Sequence, residues 1–123
     1  MQPFTFTLHL QTYVRGLFVI QPKYDQEEFA RLISASDAFW PALCEIYQED
    51  YKTIEHVKAV CSFRNTQTPW LIIIFSTDRR DILSHGLHEI SHLADNFTRD
   101  GENRARFIEY VYMTFHDEVD KRL

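Results

Sequence analysis

Trp70-Leu71-Ile72-Ile73-Ile74-Phe75-Ser76 is the stretch on which the fold turns. It is an unbroken apolar run of strand length, rich in β-branched residues. Such a run reads as a central strand covered on both faces. Just before it, Asn65-Thr66-Gln67-Thr68-Pro69 is the clearest turn in the chain. Before that turn, His56 to Phe63 alternates, with Val57, Ala59, Cys61 and Phe63 on one side. The two strands around the turn are expected to form a hairpin.

Working back to the start, Phe4, Phe6, Leu8 and Leu10 alternate with Thr5, Thr7 and His9, the period of a half-buried strand. Tyr13 to Ile20 is the next strand, weakened by Gly16. Gln21 to Tyr24 reads as a break. Asp25 is a good helix N-cap, and Glu28 completes a capping-box pattern ahead of Phe29, Leu32 and Ile33. A second helix is expected from about Ala38 to Tyr51, with Pro41 tolerated in its first turn.

Working forward, a helix is expected from Asp78 or Asp81 to Phe97. Ile82, Leu83, Gly86, Leu87, Ile90, Leu93, Ala94 and Phe97 form its apolar side. Asp81, Ser84, His85, His88, Ser91, His92 and Asp95 form the other. After a short turn, a last helix runs from about Glu102 to Lys121, with Ala105, Ile108, Val111, Tyr112, Phe115 and Val119 as its stripe. The order β-β-α-α-β-β-α-α predicts one α+β domain over residues 1–123. A small, mainly antiparallel sheet is expected, with helices packed largely on one face.

The histidine helix carries the chemistry. His88-Glu89-Ile90-Ser91-His92 is a His-Glu-x-x-His motif. On a helix, His88 and His92 lie one turn apart on one face and can share a metal ion. Neutral imidazole suits Zn2+ and other transition metals, and a catalytic site needs a third protein ligand while leaving a position for water. A carboxylate beside the pair can take a proton from that water, the role open to Glu89.

These residues resemble the zincin-type metallopeptidases, in which a helix carries this motif. The resemblance covers about Trp70 to Tyr112, and its specific core is five residues. It implies a zincin-like hydrolase acting on a peptide or protein substrate, with His88 and His92 as zinc ligands and Glu89 as general base. In the glutamate-type branch the third ligand is a Glu on a following helix. Glu109, seventeen residues after His92, is the candidate. The residue four after it is Met113 rather than Asp, and His116, His85, Asp95 and Glu102 stay open as alternatives. The string Leu87 to His92 also resembles the metal-binding segment of the elongation factor P hydroxylases. That resemblance implies Fe2+ held by two His and a carboxylate.

Composition bounds the remaining choices. With 45% hydrophobic and 15% aromatic residues, the chain can bury a core. A net charge of -5 argues against a general electrostatic grip on nucleic acid. Met1 to Phe4 lacks the pattern of a secretory signal, and the apolar run Trp70–Phe75 is too short to span a bilayer. Cys44 and Cys61 lack metal-ligand spacing and read as free core thiols. The expectation is a cytoplasmic protein with no membrane partner. A third functional class is a non-catalytic interaction protein with a structural or vestigial metal site. The small size leaves little chain for a cleft, so a protein partner or homo-oligomer is expected to complete one. Arg79-Arg80, Arg99, Arg104 and Arg106 read as solvated surface, and Phe107, Tyr110, Tyr112 and Phe115 as core packing, with Tyr110 and Tyr112 open as hydrogen-bond donors to a transition state.

Overall fold

The computed structural model describes residues 2–10, 13–48 and 56–123. Its elements are β1 (Phe4–Leu10), β2 (Tyr13–Gln21), α1 (Gln26–Ser34), α2 (Phe39–Ile46), β3 (Ala59–Ser62), β4 (Trp70–Phe75), α3 (Arg79–Phe97) and α4 (Gly101–Arg122). The strands form one sheet in the order β1-β2-β4-β3. Among the described residues, no helix is long and apolar enough to cross a membrane.

β1 and β2 pair antiparallel, from Phe4 opposite Ile20 to Leu8 opposite Gly16. β3 and β4 also pair antiparallel, from Ala59 opposite Ile74 to Ser62 opposite Leu71, as a hairpin around the 65–69 turn requires. The central pair, β2 and β4, is parallel, from Gly16 opposite Trp70 to Gln21 opposite Phe75. Parallel neighbours need a long crossover, and the segment holding α1 and α2 supplies it. The fold is α+β, with a mixed sheet that is mostly antiparallel.

Because side chains alternate across a strand, β2 and β4 each feed two cores. Phe18, Ile20, Trp70, Ile72 and Ile74 point to one face, where α3 and α4 cover them with Ile90, Leu93, Val111 and Phe115. Leu17, Val19, Leu71 and Ile73 point to the other, where Leu32, Trp40, Leu43 and Tyr47 of the α1–α2 layer cover them. Two readings of the sequence competed here, helices largely on one face and a β4 strand covered on both. The long helix pair takes one face as expected, and the shorter pair takes the second. The apolar run of β4 is the reason, since a one-sided layer would leave Leu71 and Ile73 in water.

Aspartates start three of the four helices. Asp25, Asp78 and Asp100 accept from the backbone N–H groups of Glu28, Arg80 and Asn103. Each fills a donor that the first turn leaves unpaired. The segment 98–100 between α3 and α4 is so short that the two helices must return against each other. Their approach depends on Gly86, where a Cβ would lie 2.2 Å from the Phe115 ring. Gly16 has the same role in the sheet, since a Cβ there would lie 2.2 Å from the Trp70 indole. The expected C-terminal part of the second helix beyond Gln48 lies outside the described residues.

Candidate metal centre

α3 is anchored through Ile82, Gly86, Ile90, Leu93 and Ala94, all buried. Burying a side chain such as Ile90 contributes about 1.5–3 kcal/mol. That anchoring turns the opposite side of the helix outward, and His88 and His92 are both exposed there. Leu87, expected on the apolar side, sits at its margin and is 39% exposed.

The two imidazoles meet. Nε2 of His88 and Nε2 of His92 are 3.0 Å apart. Their ring centroids are 4.6 Å apart and the planes are nearly perpendicular, at 83°. Two nitrogens held 2.0–2.1 Å from one tetrahedral ion would stand about 3.3 Å apart. The pair is thus within a few tenths of an ångström of the spacing that a shared zinc demands. Without an ion, the same approach is an N–H···N hydrogen bond in which one ring donates and the other accepts.

Glu89 is half-buried on a flank of α3, one residue step around from His88. Its charge reaches the Cys61 thiol of β3. Burial pushes that thiol up to about 12, and the Glu89 carboxylate adds to the shift. Glu89 therefore lies on the side of α3 nearest the β3 sheet edge. Cys44, on the buried side of α2, is raised to about 12 by burial, and both cysteines are free.

Glu109 faces elsewhere. It is exposed on α4 and lines a shallow groove of about 330 Å³ with Arg106, Tyr110, Met113, Thr114 and Asp117. Three of the alternatives have partners of their own. Asp95 accepts from Arg104 Nε at 2.6 Å, and Glu102 accepts from Arg106 Nε at 3.0 Å. His116 Nδ1 lies 3.2 Å from an Asp120 carboxylate oxygen. His85 is half-buried, one turn before His88. Among the described residues, no three His, Cys, Asp or Glu side chains gather into a group that could hold a metal ion. The two imidazoles fit a divalent ion as half of a donor set, and the expected third protein ligand does not join them.

A polar cluster at the other end of the helix pair escaped the sequence reading. Arg79 Nε donates to Asp120 at 3.0 Å, and Arg79 Nη2 lies 3.5 Å from His116 Nε2. The guanidinium holds the Asp120 carboxyl below the usual range. His116 and Asp120, four apart on one helix, were the available signal; their partner on α3 was not.

Comparison of the chain with family models, with curated proteins and with solved structures finds no match.

Proposed function

We propose that this protein binds a divalent transition metal through His88 and His92, Zn2+ first and Fe2+ as the alternative, and that the site serves hydrolysis of an amide in a peptide or protein. The observation that supports the reading is the 3.0 Å approach of the two Nε2 atoms on a helix fixed by its opposite face. A bound ion would supply Lewis acidity toward a carbonyl and lower the pKa of a water. His88 and His92 would hold it with their Nε2 lone pairs, each ring keeping its proton on Nδ1. The Glu89 carboxylate, on the flank of the same helix, would take the proton released. The free thiols Cys44 and Cys61 support a reducing compartment, in keeping with a cytoplasmic setting.

Zinc titrated calorimetrically into metal-free protein is expected to bind. His88→Ala and His92→Ala should each weaken binding by more than about tenfold, since loss of even an outer-shell partner costs 10–100-fold. Metal analysis of protein purified without chelator separates zinc from iron. Glu89→Gln should keep the metal and lose amide hydrolysis measured on a fluorogenic peptide mixture. Undiminished hydrolysis in that variant would remove Glu89 as the base. Absence of any Zn2+ or Fe2+ uptake would remove the whole reading.

A second reading has its own observation. Among the described residues, the protein donors gathered at the site are two, which favours an interaction protein whose metal is structural and whose remaining ligands come from a partner.

A further inference from the structure

We infer that His88 and His92 are half of a zinc site that closes between two copies of this chain. The inference rests on metal binding by these two residues and belongs to the structural-metal reading, because four imidazoles leave the ion no position for water. Structural zinc takes four protein ligands in a tetrahedron. One copy offers two nitrogens 3.0 Å apart, and no third donor among the described residues joins them. A two-fold axis through the ion supplies the missing pair, because an isologous contact repeats the same donors on both sides.

The face is built for such an approach. Both imidazoles are exposed, so a second α3 can reach them without displacing any packed element. Ser84 and Ser91 beside them are small, and the Ser91 hydroxyl is turned back onto the Leu87 carbonyl at 2.9 Å. Leu87, 39% exposed at the margin between this face and the buried one, borders the contact with apolar surface. The charges also agree. When two copies of α3 cross antiparallel at the level of Ile90, His88 of one copy meets His92 of the other. Within the helix, the same register sets His85 of one against Asp95 of the other, whose carboxylate is also held by Arg104. No like charges oppose each other along that line. A single helix-on-helix contact falls short of the roughly 1,600 Å² of a standard stable interface. The dimer is therefore expected only with the metal present.

Sedimentation velocity and calorimetry on the whole chain test this with Zn2+ as the probe. Metal-free protein should run as a monomer. Half an equivalent of Zn2+ should convert it to a dimer, with binding saturating at one ion per two chains, and chelator should reverse the change. X-ray absorption at the zinc edge should show four imidazole nitrogens per ion. His88→Gln and His92→Gln, whose folding is checked by circular dichroism, should stay monomeric with zinc. One ion per monomer, or an ion carrying two imidazoles and oxygen ligands, overturns the shared site and leaves metal binding standing. No zinc binding overturns both. A dimer that persists in chelator, or in both Gln variants, overturns the inference by placing the contact elsewhere.

Discussion

At the scale of single residues, one glycine and two cysteines report on the cores. Gly86 has no room for a methyl group, because a Cβ would sit 2.2 Å from the Phe115 ring and that ring is fully buried. Gly86→Ala must push α3 and α4 apart or force Phe115 off its rotamer. Overpacking of this kind costs about 1–3 kcal/mol. Thermal denaturation should show a melting temperature several degrees lower, while zinc affinity stays near wild type because the histidines lie on the opposite side. The thiols make a pH-dependent prediction. Cys44 and Cys61 are raised from 9.0 to about 12 by burial, with Glu89 adding to the effect at Cys61. Between those values the unfolded chain releases protons that the folded chain keeps, so stability is full below about pH 9 and falls as pH rises. The Cys44→Ala, Cys61→Ala double variant should lose less stability between about pH 8 and pH 10.5 than wild type does. A thiol reagent at neutral pH should label native protein slowly and denatured protein fast. Equal rates would show that the thiols are not shielded.

At the scale of elements, what was legible in the sequence is what is local. Asp25 announces its helix because a cap acts within three residues, and the six apolar residues of β4 announce a strand buried on both faces. The parallel pairing of β2 with β4 was not legible, because nothing in either strand names its neighbour. The His88–His92 pair was legible, since one turn of helix decides it. Glu109 was not, because its direction depends on how α4 is rolled. Burial of Phe107, Val111 and Phe115 fixes that roll. Glu109, two residues before Val111, is carried about 200° around the helix and out to solvent. The same roll brings Asp120 to Arg79. That ion pair ties the start of α3 to the end of α4, and it lies in water. Asp120→Asn is expected to leave the melting temperature close to wild type at neutral pH. The carboxyl is held below its ordinary 3.8 by the Arg79 hydrogen bond, so its contribution exists above that value and is lost as pH falls through the folded pKa. The variant should therefore lose stability less steeply in acid, in melts compared between about pH 5 and pH 2.

At the scale of the molecule, the two cores share one sheet, and that sets how the protein unfolds and what a metal does to it. Leu17 and Val19 of β2 belong to the α1–α2 layer, while Phe18 and Ile20, between and beside them, belong to the α3–α4 layer. Losing either helix layer exposes one face of strands whose other face is still buried, so neither layer is stable by itself. A single cooperative transition is expected. Trp40 reports one layer and Trp70 the other, and both are fully buried. Trp40→Phe leaves Trp70 as the only tryptophan, and Trp70→Phe leaves Trp40. In each variant the fluorescence midpoint in denaturant should coincide with the circular dichroism midpoint. Separated midpoints would mean that the crossover helices unfold as a unit of their own. The same melts test the histidine face. An ion that binds only the folded chain adds about 2.7 kcal/mol when its free concentration is a hundred times the dissociation constant. Zinc should therefore move both tryptophan transitions upward together, because a helix held at His88 and His92 is held to the whole sheet. The shift should vanish in His88→Ala, whose metal-free midpoint stays near wild type since the side chain is exposed. A zinc effect that survives in that variant would place the binding site elsewhere in the chain.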